Sequence, residues 1–424
     1  MTAGAEYDVA IVGASIAGCA AAALYGRRGA RVALIERNAD PLAYKSVCTT
    51  FIQASATPVL ERLGVVPKLD AAGAVHNEVE IWTRWGWIRP QLDDGYSGVR
   101  YGYSVRRETL DPMLRALAVV TPGVELLAGA SPSALSSDDR RVTGMVVRDR
   151  AGNERKLRAR LVVGADGRGS RVARLAGVAA RSRPNGRVAY FAQYRNVGLS
   201  AGTRSQMWVL EPDVNYVFPH DDDVTILAAM TARDNLPAFR ADPQRRLEQA
   251  FEGLPRAPSL AGARLVSKVI GKLDMTNTSR PAAAPGIAFI GDAAMASDPL
   301  WGVGCGFALQ SAEWLVDCTA DAVVTGGEQL DDALTRYRRR HRRALGGHHF
   351  LMNDFASGRP LNAIERTMFA AAARDDDTAR HLYDNGSRQI GPLRFLSPPA
   401  VARAAWVNAR HRHDPPAGRA AAAA

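Results

Sequence analysis

The 424-residue sequence predicts an α/β protein: a βαβ unit at its start, a second unit built on a mostly antiparallel β-sheet, and a helical C-terminal region. Three observations predict it. Residues 7–36 run as apolar strand, glycine turn, alanine-rich helix and second apolar strand. Residues 188–230 fall into short β-rich runs separated by turn residues, and from about residue 326 the apolar spacing turns helical.

The first unit begins with YDVAIV (Tyr7 to Val12), followed by GASIAG and the helical stretch CAAAALYGRRGA; RVALIE then ends on Glu36. Strand, glycine turn, helix and strand closing on an acid is the Rossmann-type dinucleotide-binding arrangement. Gly13 permits the tight turn, Gly18 lets helix pack on strand, and Ile16 and Ala17 occupy the first helical turn, whose unpaired N–H groups face a pyrophosphate. Glu36 would accept hydrogen bonds from a ribose, with Arg37 beside it. Ser15 stands where the middle glycine is usual, which predicts a shifted site rather than a lost one.

Further along, IWTRWGWIRP from Ile81 reads as an aromatic strand pair at a sheet edge. LVVGADGRGSRVAR from Leu161 is an apolar strand ending in Ala-Asp-Gly. VAYFAQYRN, SQMWVL, NYVFP and VTILAAM supply the second sheet, where only alternate residues can face a common pocket. FIGDAAMASDPLWGVGCG (289–306) is a strand that ends in Gly-Asp and continues through a Pro and further glycines.

Composition narrows the function classes. A hydrophobic content of 47% supports one large core or two ordinary ones. The net charge of +11 comes from arginines spread along the chain, and only five of the basic residues are lysines, so nucleic acid is not an expected partner. The densest run, RYRRRHRR (336–343), reads as a solvated helix face, with a dock for an acidic carrier protein as the second reading. Cys19, Cys48, Cys305 and Cys318 lack metal-type spacing, so neither disulfides nor a metal site are expected. No apolar run reaches the length of a membrane span, and the N-terminus leads straight into a strand pattern; a cytoplasmic protein is expected.

The ordered motifs G-x-S-x-x-G, Asp166-Gly167 and Gly291-Asp292, with VRRETLDPML from Val105 and PLWGVG from Pro299, resemble the FAD-dependent aromatic hydroxylases, the single-component class A flavoprotein monooxygenases typified by para-hydroxybenzoate hydroxylase. The resemblance spans residues 5–325. It implies non-covalent FAD, with its adenosine end on Gly13, Ser15, Gly18 and Glu36, Arg107 reaching the phosphate or ribose region, Asp166 beside the flavin and Asp292 on the ribityl chain. Pro299, Gly302, Val303 and Gly304 would lie along the isoalloxazine ring. It further implies NAD(P)H as reductant and O2 as oxidant, with oxygen passing from a flavin C4a-hydroperoxide to an aromatic or polycyclic substrate by hydroxylation or epoxidation.

Tyr190, Tyr194, Trp208, Tyr216 and Trp301 are the expected substrate-pocket residues, and Lys45 and Tyr216 the candidate catalytic ones. The family's His after Asp-Ala-Ala is Met295 here, and its Asn is Gly306. The implied domains are 1–75, 100–180 and 280–325 for FAD, 76–99 and 181–279 for the substrate sheet, 326–412 for helices capping the FAD unit, and 413–424 for a flexible tail, in a monomer or homodimer. A halogenase or geranylgeranyl-reductase-like enzyme of the same fold is one alternative. A non-catalytic flavin-binding redox sensor is another.

Overall fold

The computed structural model describes residues 6–93, 95–325 and 330–413; the expected tail, apart from His413, lies outside them, as do residues 1–5. Strand β1 (Glu6–Val12) is β-branched and apolar and is covered on both faces, with Val9, Ala10 and Ile11 wholly buried. Such a strand belongs in the middle of a parallel sheet. Helix α1 (Ile16–Arg27) buries every residue from Ile16 to Gly26, which only a run of small side chains permits. Strand β2 (Val32–Glu36) follows, then helix α2 (Arg107–Val120), strand β3 (Val124–Ala128) and strand β4 (Glu154–Gly164).

These strands form one parallel sheet in the order Ile287–Phe289, β4, β1, β2, β3, and the hairpin Ser131–Asp138/Arg141–Arg148 extends from β4. The second sheet is built from β5 (Arg187–Arg195), β6 (Ser205–Val209), β7 (Val214–Pro219) and β8 (Thr225–Ala232), paired antiparallel in the order β5, β8, β7, β6. Val79–Thr83 adds to β6 in parallel, and Gly86–Ile88 closes the edge.

Both faces of the second sheet are buried. One face carries Ala189, Phe191, Met207, Tyr216, Phe218, Ala228 and Met230; the other packs Val188, Tyr190, Tyr194, Trp208 and Leu227 under Phe239, Leu247 and Phe251 of a short helical segment. Trp87 of the edge hairpin meets Trp208 edge-on at 5.9 Å on that second face, so the WGW segment is packing.

Helix α3 (Val303–Thr325) runs beside α1, with α4 (Leu330–Phe355) along it. The last helices are α5 (Ala363–Ala372), α6 (Asp376–Gly386), α7 (Pro392–Phe395) and α8 (Pro398–Arg410). Phe369, Leu382, Phe395 and Val407 from α5–α8 join Met207, Tyr216 and Met230 in one core. The expectation that the C-terminal helices cap the first unit is therefore corrected: α4 does so, while α5–α8 cover the second sheet, whose apolar face would otherwise meet water.

Candidate functional site

A cleft of about 780 Å³ runs along the carboxyl ends of β1, β2 and β4 and on toward the second sheet. That is where open parallel sheets take their ligands. Its near end is lined by Gly13, Ser15, Ile16, Ala17, Glu36 and Arg37. Glu36 ends β2 with its carboxylate turned to the glycine turn, accepting from Ala14 N at 2.8 Å and Asn38 N at 3.0 Å.

The Ser15 hydroxyl accepts from Arg107 at 2.6 Å, and Arg107 is clamped by both carboxylate oxygens of Asp111 at 2.6 and 2.7 Å. The residue that departs from the glycine pattern is thereby tied to α2. Arg115, which sequence reading missed, donates to the carbonyls of Ala14 (3.2 Å), Ala43 (2.8 Å) and Pro41 and so holds the turn from below. Its signal would have been its place on the same helical face as Arg107 and Asp111, one turn on.

At the far end, Gly167, Asp166, Gly291, Asp292, Pro299, Gly302 and Gly304 line the cleft. Gly18 and Val303 do not: Gly18 packs against the Gly13 carbonyl, and Val303 points into the core. Gly302 has φ +64°, and a Cβ there would stand 2.5 Å from the Phe51 ring, so both the backbone and the neighbour require glycine. Asp166 accepts from Ser170 Oγ (2.6 Å), Arg171 N (2.7 Å) and Val172 N (3.0 Å), so it takes up the first two N–H groups of a one-turn helix at the cleft wall whose N-cap is Ser170.

Lys45 Nζ lies 3.2 Å from Asp292 Oδ2. Burial works to raise the Asp292 carboxyl, but Lys45, Arg168 and Arg107 outweigh it and hold it below the ordinary carboxylate range. Asp292 in turn holds the Lys45 ammonium above its ordinary value.

Between these ends the structure brings together two cysteines 257 positions apart: Cys48 Sγ and Cys305 Sγ stand 4.0 Å from each other, and both line the cleft. The thiols remain free, but they are neighbours, a relation that sequence spacing did not show. The Cys305 thiol donating toward Cys48 holds Cys48 well below the usual thiol range against the opposing effect of burial, with Arg107 and Lys45 adding to it; Cys305 is raised correspondingly. Cys48 is therefore expected to be the thiol that alkylates first at neutral pH, well before Cys19, which burial raises. Peptide mapping after limited iodoacetamide treatment checks this, and saturating FAD should slow the labelling.

Beyond the Lys45–Asp292 pair the cleft is walled by the second sheet through Ala189, Phe191, Ala228 and Met230, with Met275, Lys272 and Phe51 beside them. Phe51 and Gly302 are shared with a smaller cavity of about 60 Å³, lined chiefly by Ile81, Ile88, Met207, Tyr216, Phe218, Leu300, Trp301 and Leu382. Of the expected pocket residues, Tyr216 and Trp301 are there. Tyr190, Tyr194 and Trp208 are not, and the expectation is corrected: they face the opposite side of the sheet, where Tyr190 stacks on Phe239, Tyr194 donates to Glu248 and Trp208 to the Pro255 carbonyl.

Tyr216 donates to the Leu300 carbonyl at 2.7 Å, and burial raises its phenol, so it is a structural donor. His220 is buried between the carbonyls of Phe218 and Thr49 at 2.9 Å each, and burial lowers its pKa. Among the described residues no cluster of metal-ligating side chains occurs, and no helix is long and apolar enough to cross a membrane.

Residues 6–346 match the family model described as FAD binding domain. The chain is 29% identical over 320 residues to digeranylgeranylglycerophospholipid reductase 1 of Methanopyrus kandleri, covering 72% of this chain and 78% of that one. Its fold is similar to the flavin-dependent brominase Bmp2, with a TM-score of 0.77 at 19% identity over 96% of this chain and all of that one. It is similar also to pqsL, a probable FAD-dependent monooxygenase from Pseudomonas aeruginosa, with a TM-score of 0.68 at 21% identity over 90% and 100% of the two chains.

Proposed function

The chain belongs to the FAD binding domain family and is an FAD-dependent oxidoreductase; from that premise we propose that it transfers oxygen to an uncharged, apolar aromatic or polycyclic substrate, with NAD(P)H as the electron source. One observation carries the reading. The space between the glycine loop at 299–304 and the second sheet is bounded by Ala189, Phe191, Ala228, Met230 and Met275, with Lys272 beside them, and it continues past Phe51 into a cavity walled chiefly by aromatic and aliphatic side chains.

The two tyrosines of that cavity have their hydroxyls committed to backbone carbonyls, Tyr216 to Leu300 and Tyr383 to Arg100. The cavity thus presents apolar surface and offers no free acid or base. Oxygen transfer to an electron-rich carbon needs a dry, oriented pocket more than it needs a proton donor.

Bound FAD would supply two-electron redox chemistry and oxygen activation. The chain's own residues would do the rest. The first turn of α1 would present its N–H groups to the pyrophosphate, and Glu36 would offer acceptors to the ribose. Lys45 and Asp292, which neutralise each other, would lie beside the ribityl chain. The N-terminus of α3 would add positive potential near the ring. Phe51, Phe191 and Met230 exclude water.

A second reading, reduction of a carbon–carbon double bond in an apolar chain, is favoured by the similarity to the Methanopyrus reductase and would use the same pocket. The test is turnover of the FAD-loaded protein with NAD(P)H across uncharged aromatic and polyene compounds. Gain of one oxygen in air is expected. Gain of two hydrogens without air would establish the second reading, and a halide-dependent product would overturn both. Ala228→Phe, which fills the pocket, is expected to lower kcat/KM at least a hundredfold while the protein stays yellow.

A further inference from the structure

We propose that the arginine stripe of α4 and the apolar tip beside it are a docking surface for an anionic lipid bilayer. Arg339, Arg343 and Phe350 are spaced by four and seven residues, which at about 100° per residue puts them on one stripe of α4 roughly 16 Å long. All three are exposed, Phe350 to 59%. Arg338 and Arg342 flank the stripe and are exposed as well. None of these four arginines makes an ion pair among the described residues, whereas the neighbouring Arg340 is turned to Asp317. The carboxylates of α4 sit at its ends: Asp331 and Asp354 are bound to Arg141 and Arg359, and Asp332 is exposed in the first turn.

Gly347, three residues before Phe350, lies against the Pro392 ring, so α7 packs on α4. There Leu393 is 93% exposed, with Arg394 exposed beside it. A leucine exposed to that degree projects from the surface rather than lining a groove. Unpaired cations around a projecting apolar tip match a surface of anionic headgroups over hydrocarbon better than an acidic protein, which would offer the tip nowhere to go.

The position suits the site. Helix α6, which lines the apolar cavity through Ala379, Leu382 and Tyr383, leads directly into α7, and His381 of α6 stacks on Phe395 of α7. On the reading of the cavity given above, an apolar compound dissolved in the bilayer would be delivered at the wall it has to pass.

The experiment is co-sedimentation of the FAD-loaded full chain with phosphatidylcholine vesicles, with and without phosphatidylglycerol. Binding is expected only to the vesicles with phosphatidylglycerol, weakening as salt is raised. Arg339→Gln with Arg343→Gln should reduce partition about fivefold per arginine, and Phe350→Asp with Leu393→Asp should abolish it, all variants keeping their flavin absorbance and basal NAD(P)H oxidation. Equal binding to neutral vesicles, no vesicle binding, or undiminished binding by both double variants overturns the proposal. So does capture of an acidic carrier protein by the stripe in place of vesicles. The assay reads the surface alone, so its failure leaves the product assay untouched, and failure of the product assay leaves vesicle binding standing.

Discussion

Gly18→Ala is expected to purify as a colourless protein. Gly18 lies in the first turns of α1, against the turn that ends β1, and an alanine Cβ there would stand 1.8 Å from the Gly13 carbonyl oxygen and 3.0 Å from its carbon. The obstacle is backbone, and on its other side a Cβ would meet the Ala165 methyl at 3.3 Å, so no side-chain rotation relieves the clash. The helix has to retreat from the turn, and it cannot retreat far, because its whole length is buried between the sheet, α2 and α3.

The retreat moves the N–H groups of Ile16 and Ala17 off the position at which they would meet a pyrophosphate. Losing two charge-assisted hydrogen bonds at about 1.5 kcal/mol each weakens FAD binding at least a hundredfold. Overpacking adds a stability loss of about 1–3 kcal/mol. Flavin absorbance after purification and titration of the apoprotein with FAD measure both consequences. Gly391→Ala, where a Cβ has nothing within 4 Å, is the control and should remain yellow. A Gly18→Ala protein that binds FAD as the wild type does would show that the helix start is not where the cofactor is held.

The part of the site that was legible in the sequence is the part made by neighbours in the chain. The β1–turn–α1–β2 segment could be read because each role falls within 30 residues, and Glu36 ends β2 at the cleft as the spacing predicted. Asp292 could be placed because its strand ends where the chain becomes glycine-rich.

The facing of the second sheet could not be read. β5 to β8 are buried on both faces, so apolar and polar residues do not alternate, and nothing local distinguishes Tyr190 from Phe191 or Trp208 from Met207. Only the helices that later pack on each side decide it. α5–α8 take the face of Met207 and Tyr216, and the segment carrying Phe239 and Phe251 takes the face of Tyr190 and Trp208. The Cys48–Cys305 approach was equally hidden, because two segments 257 positions apart must meet within the first unit before either thiol has a neighbour.

The same reasoning singles out Asp298, whose partner lies 111 positions earlier in the chain. Asp298→Ala is expected to lower stability by about 3–5 kcal/mol, the usual consequence of leaving a buried charge unpaired. Asp298 and Arg187 are both 0% exposed and form an ion pair in the core. The carboxylate also accepts from Asn185 Nδ2 at 2.7 Å and Leu300 N at 2.9 Å, while Asp298 N donates to Asn277 at 2.6 Å.

Through these bonds the loop that leads to Gly302 and α3 is fastened to the first residue of β5. Removing the carboxylate strands the Arg187 guanidinium, whose Nε already lacks a partner, and frees the Leu300 amide. A second substitution separates charge from packing. Arg187→Met combined with Asp298→Leu removes both charges, so the double variant should be more stable than either single one, because no ion is then left buried alone.

Urea unfolding midpoints of the wild type, Asp298→Ala, Arg187→Met and the double variant measure the difference. The loop's second function gives an independent readout: Asp298→Ala should bind FAD more weakly than Arg187→Met with Asp298→Leu only if the stranded guanidinium, rather than the lost loop tether, is what distorts the flavin side of the cleft. Equal weakening in the two would assign the effect to the lost Leu300 and Asn185 hydrogen bonds, since both variants lack them. Unaltered stability in Asp298→Ala would mean that water reaches the pair, and that the loop is held well enough by the bonds the substitution leaves in place, Asp298 N to Asn277, Tyr216 to the Leu300 carbonyl and Gln53 to the Trp301 carbonyl.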